Sequence, residues 1–426
     1  MEIKVKEMQS GQKQSTGEGS MIKKRMDRAK TRVQKRFIQK RILAAAFLLL
    51  LSCQWACGRS ESSSGSANGS ETNTASEETN DPYAVKKDLC DAQASENAKR
   101  IYQYLADNYG KNIISGQYCD GGIFGHEMAV IWKATGKFPA MVGLDMMDAS
   151  PSRVAYGTEC KTIDQAIEAW DNNSLVTICW HWNAPTKYLT GTWYSGFYKE
   201  HTNIDLDKIM NGEDPEGHDL LVADMDAIAK ELTKLKEKDI PVLWRPLHEA
   251  SGGWFWWGNC SAESYIKLYR EMYEKFTKEY ELHNLIWVWN GQSKSWYPGD
   301  DVVDLMGDDI YPGKHKYSSQ QSKFNNLKKT TDTKMIVAMT ENGCLFDPDK
   351  AVEDDAMWSY FGTWGGEFVT DSDTLNVYSE TYTEQDMLVK VYNHERVITR
   401  DELPDLKTYG DAEETGAGTE ETASTE

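Results

Sequence analysis

Leu243-Trp244-Arg245-Pro246-Leu247-His248-Glu249 starts as an apolar run and ends in a histidine and a glutamate, and Ala250-Ser251-Gly252-Gly253-Trp254-Phe255-Trp256-Trp257-Gly258 follows directly. A short bulky run closed by a glycine-rich turn reads as a buried strand, here Pro241–Glu249. Side chains alternate along a strand, so Arg245, Leu247 and Glu249 are expected on one face. Met335-Ile336-Val337-Ala338-Met339-Thr340-Glu341 repeats the design, with Met335, Val337, Met339 and Glu341 expected together. Both runs finish in a carboxylate at their C-terminal edge. A glutamate there is costly to bury unless it is paired or used.

Similar short runs recur on either side: Ile113–Gln117, Phe138–Met146, Leu175–Trp182, Leu285–Asn290, Val303–Tyr311, Lys334–Glu341 and Tyr360–Phe368. Helical patterns are expected between them. Leu221, Met225, Ile228, Leu232 and Leu235 recur at spacings of 4, 3, 4 and 3, one apolar stripe facing a sheet. Thr162 with Gln165 has the form of a capping box, and Ser261 opens a helix that turns Tyr265, Leu268, Met272 and Phe276 inward. Eight strands alternating with helices predict a single parallel (β/α)8 TIM barrel in the α/β class. No glycine-rich phosphate turn follows an early strand, which counts against an open doubly wound sheet. In such a barrel the working residues sit at the C-terminal ends of the strands, where Glu249 and Glu341 fall.

The 426-residue chain is 40% hydrophobic and 11% aromatic, enough for a substantial core, and its 15 Trp and 21 Tyr are core or platforms for flat ligands. Residues 1–41 hold thirteen Lys and Arg against four Asp and Glu, a net of +9, so the rest carries −29 of the total −20. A body this acidic argues against nucleic acid as a partner and fits a neutral substrate. Cys90, Cys119, Cys160, Cys179, Cys260 and Cys344 form no C-x-x-C pair and lack His at ligand spacing, so neither a metal nor a cofactor is expected. One or two disulfides stay open.

Lys40-Arg41, the apolar Ile42–Ser52 and then Cys53 make a signal sequence too short to span a membrane as an ordinary helix. Leu50-Leu51-Ser52-Cys53 resembles a lipoprotein processing site, with Cys53 lipidated; plain secretion and an uncleaved anchor are the alternatives. Residues 1–57 are thus an export segment, 58–80 a Ser/Gly/Glu-rich linker, 81–406 the catalytic body and 407–426 an acidic tail expected to be disordered. The reading places the protein outside the cell, touching the membrane only through that N-terminal anchor.

A lone glutamate at a strand end is usually a rim residue bonding a loop. Two at corresponding strand ends, one leading into an aromatic run, point to catalysis. Paired carboxylates suit glycoside cleavage, one protonating the leaving oxygen while the other attacks the anomeric carbon. Trp254, Trp256 and Trp257 could pack a lid, but three indoles in four positions also suit stacking on the flat C–H faces of sugars, Trp254 and Trp257 first. Arg245 points into the barrel and needs an acid there, Glu341 or one such as Asp145. Glu249, among aromatic residues, is expected to titrate high and Glu341, beside Arg245, to stay ionised.

Trp244-Arg245-Pro246-Leu247-His248-Glu249, the Trp254–Gly258 run and Thr340-Glu341-Asn342-Gly343 together resemble glycoside hydrolase family 26. So do Phe138-Pro139-Ala140-Met141-Val142-Gly143-Leu144-Asp145, Trp180-His181-Trp182 and Asp309-Ile310-Tyr311-Pro312. The resemblance, from about Asp81 to Leu406, implies a retaining barrel glycosidase with Glu249 as acid/base and Glu341 as nucleophile. It also implies that His181 and His248 line the subsite of the reacting sugar, that Tyr311 hydrogen-bonds the nucleophile, and that Trp364 lies under that sugar. Most members are endo-β-1,4-mannanases, so β-mannan is the expected substrate; a minority cut mixed-linked β-glucan or β-1,3-xylan. The rival of another class is a non-catalytic mannan-binding surface lipoprotein, which would have no need of both glutamates.

Overall fold

The computed structural model describes residues 81–371, 374 and 376–411. Cys53, the export segment and the 58–80 linker lie outside the described residues. Eight parallel strands form the centre: β1 (Ile113–Tyr118), β2 (Met141–Asp145), β3 (Leu175–Cys179), β4 (Val242–Arg245), β5 (Leu285–Trp289), β6 (Leu305–Ile310), β7 (Ile336–Asn342) and β8 (Tyr360–Thr363). Each pairs with the next, and β8 and β2 both pair with β1, so the sheet closes into the expected barrel. Closure leaves no edge among the eight, and every strand is buried or nearly so along its length. A two-residue β9 (Val397–Ile398), not anticipated from sequence, adds to β1 outside the ring at Ile113 and Ile114.

The outer layer contains α1 (Glu96–Asn108), α2 (His126–Thr135), α3 (Thr162–Asp171), α4 (Pro215–Lys236), α5 (Ala262–Glu274), α6 (Gln321–Lys328), α7 (Pro348–Glu353) and α8 (Gln385–Tyr392). In α4 the stripe Leu221, Met225, Ile228, Leu232 and Leu235 is fully buried, as its spacing requires. Ser261 caps α5 by accepting from Ser264 N–H. The capping box expected at Thr162 does not form. Its hydroxyl donates instead to Asp145 O at the end of β2, and Gln165 reaches Asp120 O, so both side chains tie α3 to strand-end loops. Between β5 and β6 the described chain has only a 3-10 turn at Lys294–Trp296, and α1 packs on β5.

Nine of the fourteen tryptophans among the described residues are buried, so the aromatic richness is first of all core. Trp244 and Trp287, for example, meet Phe276, Tyr269 and Tyr273 between sheet and helices. All six cysteines of the body are free thiols. The start of the expected tail is part of the body: Tyr409 packs edge-on against Tyr104 and donates to Asp107, and Asp411 pairs with Arg100 on α1.

Small residues make room inside the barrel for Tyr118, the last residue of β1. A Cβ on Gly143 would stand 2.5 Å from its ring and one on Gly362 2.9 Å from it. Gly143→Ala should therefore overpack the barrel mouth and lower the unfolding free energy by about 1–3 kcal/mol, read by urea denaturation. An unchanged midpoint would show that Tyr118 can yield, and the packing argument would fail.

Candidate active site

The ladder of β4 stops at Arg245 because Pro246 has no N–H to continue it. Leu247 (φ 50°) and Glu249 (φ 55°) then take left-handed conformations that non-glycine residues rarely adopt. Simple alternation over Pro241–Glu249 is thus corrected: Glu249 reaches the barrel mouth through a strained turn. Hydrogen bonds hold that turn. Glu249 N–H donates to Asn290 O at 2.7 Å, the Tyr265 hydroxyl donates to Leu247 O at 3.2 Å, and Trp257 Nε1–H donates to His248 O at 2.8 Å. In β7 the register against β6 slips, with Asp308 opposite Met339 but Asp309 opposite Glu341. This bulge lets consecutive Thr340 and Glu341 both reach the interior cluster, so alternation with Met339 fails there too.

At the centre is Arg245, fully buried. Its Nη1 donates to Asp309 Oδ2 at 2.8 Å, its Nη2 to Glu341 Oε1, and Nε and Nη2 to the Tyr118 hydroxyl at 3.3 and 3.1 Å. The arginine pairs with Glu341, as one of two expected partners, and with Asp309; Asp145 is engaged elsewhere. Asp309 Oδ1 accepts from Asn290 Nδ2 and from the Thr340 hydroxyl, each at 2.7 Å. The second Glu341 oxygen accepts from the Tyr311 hydroxyl at 2.5 Å, and Glu249 Oε2 from Trp254 Nε1 at 2.8 Å. One oxygen each from Glu249, Asp309 and Glu341 lies within 4.8 Å of the other two. Three acids so close could hold a divalent cation, but Arg245 already supplies a positive charge that pairs with two of them.

Both glutamates titrate high. Burial and the Asp309 charge push Glu341 up to about 7, against the pull of Arg245 and Tyr311. Burial, then Asp309 and Glu341, push Glu249 well above its usual value, and among the described residues it has no direct arginine partner. One arginine faces three acids, so the proton goes to the carboxyl farthest from compensation, Glu249. The pair is thereby divided into an acid and an anion.

Beside the acids, His181 Nδ1 meets Asp145 Oδ2 at 2.6 Å and its Nε2 meets His248 Nε2 at 3.2 Å. Phe197 and Phe255 box His181, and Phe255 and Trp257 box His248. Burial, then Arg245 and His181, hold the His248 ring well below the usual range and so neutral. Asp145, Cys179 and His181 also come close together. Asp145 and His181 already bond each other there, and burial pushes the Cys179 thiol up.

Trp254 is half-buried, and Trp364 is half-buried with its ring 4.9 Å from that of Tyr118. Trp257, expected to stack on substrate, is fully buried, with its ring 4.5 Å from Phe255, and presents no open face. Trp256 is likewise core, its Nε1 on Trp182 O. The loop after β3 braces this aromatic run, Lys199 N–H donating to Trp254 O and Trp256 N–H to Phe197 O. Sequence reasoning gave no role to Asp309, Asn290 or Tyr118 and misplaced Asp145. A signal existed for one of them, since Asn290 directly follows the apolar run Leu285–Trp289.

Residues 90–402 match the family model described as "Glycosyl hydrolase family 26". A mannan endo-1,4-beta-mannosidase of Thermothelomyces thermophilus is 37% identical over 329 residues, 75% of this chain and 64% of that protein. Mannan endo-1,4-beta-mannosidase B of Piromyces sp. is 32% identical over 74% of this chain and 53% of its own length. The chain thus spans about half to two thirds of these relatives. Among solved structures, the Podospora anserina GH26-CBM35 beta-(1,4)-mannanase superposes with a TM-score of 0.71 at 36% identity, covering 77% of this chain and 71% of that one. The β-mannanase from a symbiotic protist of the termite Reticulitermes speratus, complexed with gluco-manno-oligosaccharide, gives 0.66 at 32% identity, covering 75% and 98%. With the closed barrel and two carboxylates at its mouth, this match establishes that the chain belongs to glycosyl hydrolase family 26.

Proposed function

We propose that this chain is a retaining endo-β-1,4-mannanase that cleaves mannan-type polysaccharide by double displacement. The observation that carries the reading is the spacing of Glu249 and Glu341, oxygen to oxygen within 4.8 Å. Retaining pairs stand about 5–5.5 Å apart, whereas inverting pairs need about 6.5–9.5 Å to admit a water. Protonated Glu249 gives its proton to the glycosidic oxygen as the bond to the anomeric carbon breaks. The Glu341 carboxylate attacks that carbon and forms an ester. Glu249, now a carboxylate, takes a proton from water, whose oxygen bonds the anomeric carbon as the ester breaks and Glu341 is regenerated. Arg245 and Tyr311 bind Glu341 as its charge falls and returns.

Mannan as the substrate is supported by the mannanase activity for which the relatives in Thermothelomyces, Piromyces and Podospora are named. His181 and His248 suit sugar hydroxyls, and Trp254 and Trp364 suit stacking on sugar faces. Exposed Tyr156 stacks on Trp193 at 4.9 Å, on the loops after β2 and β3, an aromatic surface fit for a chain longer than the reacting sugar.

Activity should fall on the acid side as Glu341 gains a proton and on the alkaline side as Glu249 loses one. Glu249→Gln should abolish the alkaline limb of kcat/KM on a dinitrophenyl glycoside; its survival at the same pH would reassign the acid. Glu249→Ala should lose about 10²–10⁴ in kcat on mannan, with azide restoring turnover of the activated substrate. Glu341→Ala should be inactive on both substrates while still binding mannan oligosaccharide.

The basic start, apolar Ile42–Ser52 and Cys53 support anchoring at the cell surface through a lipidated Cys53. In cell fractionation, Cys53→Ser should leave the membrane fraction with specific activity unchanged. Parent and variant recovered equally in the culture fluid would mean plain secretion.

A further inference from the structure

The two cleft histidines are wired to a carboxylate that touches neither glutamate. Asp145, the last residue of β2, spends its two oxygens differently. Oδ1 accepts two backbone donors, Met147 N–H at 2.9 Å and His181 N–H at 3.1 Å, while Oδ2 faces His181 Nδ1 at 2.6 Å. At the far end, His248 Nδ1 is buried with no hydrogen-bond partner among the described residues, and His248 Nε2 faces His181 Nε2 at 3.2 Å.

These contacts fix where the protons lie. A proton on His248 Nδ1 would be a buried donor without an acceptor, at a cost of about 1–3 kcal/mol. His248 therefore carries its proton on Nε2. The nitrogen it faces must then be a lone pair, so His181 carries its proton on Nδ1, where Asp145 accepts it. Both ends give the same answer.

We propose that Asp145 is a positioning residue that sets the tautomers of both histidines, so that the cleft offers a sugar hydroxyl one donor, His248 Nε2–H, and one acceptor, His181 Nε2. A hydroxyl is itself both donor and acceptor and can replace the His–His contact, with its hydrogen directed at His181. His248 then donates to the sugar oxygen from the position next to Glu249. Hydrogen bonds of this kind to the sugar strengthen as positive charge develops on the ring in the transition state.

Asp145→Asn separates this role from simple packing. The two backbone donors keep the amide oxygen at the Oδ1 position, so the amide nitrogen must face His181 Nδ1 and donate to it. The His181 proton is then driven to Nε2, against the proton on His248 Nε2. Either two N–H groups oppose each other or His248 moves its proton to Nδ1, where nothing accepts it.

The test is 15N NMR of the histidine rings in the full chain, assigned with His181→Gln and His248→Gln. In the parent, His181 should show Nδ1–H with an unprotonated Nε2, and His248 Nε2–H with an unprotonated Nδ1. A parent spectrum with His248 protonated on Nδ1, or His181 on both nitrogens, overturns the proposal without any variant. In Asp145→Asn, the His181 proton should appear on Nε2, and kcat/KM on mannan should fall about 10²-fold or more with Glu249 and Glu341 intact. A variant that keeps the parent tautomers, or inverts them with kcat/KM unchanged, overturns it as well. The kinetic arm rests on the proposed activity, whereas the NMR arm reads tautomers even if mannan is not cleaved, so the two failures are distinguishable.

Discussion

A fully buried arginine has to be met by acids, and in this barrel that requirement organises everything at the mouth. Arg245 from β4 meets Asp309 from β6, Glu341 from β7 and the Tyr118 hydroxyl from β1. Removing one partner of such a buried pair typically costs about 3–5 kcal/mol, because the remaining charge is left in a poor solvent. Four strands are thus tied at their C-terminal ends by one guanidinium. The glycines around Tyr118 leave the space that ring needs to reach it.

The same arginine divides the labour between the glutamates. It is bonded to Glu341 and not to Glu249, so the repulsion among three clustered acids is relieved unevenly. Glu249 keeps a proton through burial and the unrelieved charge of its neighbours. Glu341 is held as the anion of the pair by Arg245 and Tyr311. Two identical side chains acquire different chemistry from their surroundings, which is what a two-step displacement demands.

The barrel was legible in the sequence because its signals are local. Apolar runs such as Leu285–Trp289 and the stripe from Leu221 to Leu235 each announce their own burial. The placement of Glu249 and Glu341 at strand ends was legible for the same reason. What alternation could not supply was the route: Pro246, two left-handed residues and the bulge before Glu341 all break period-two reasoning. Exposure was the other blind spot. Trp257 and Trp254 stand three residues apart in one aromatic run, yet one is sealed in the core and the other bonds Glu249. Partners distant in sequence, such as Asp309 and Arg245 or Asp145 and His181, carry no local mark and needed the fold to appear.

The central claim is that Glu249 and Glu341 stand close enough, and that Arg245 leaves them differently enough protonated, for a covalent intermediate. Proton NMR of the first sugar released from mannan oligosaccharide, recorded before mutarotation, tests it most directly. The account predicts that the β-configuration appears first and decays slowly to the anomeric mixture. Initial appearance of the α-anomer would mean that water attacks directly between the carboxylates, and the double displacement assigned to Glu249 and Glu341 would be wrong.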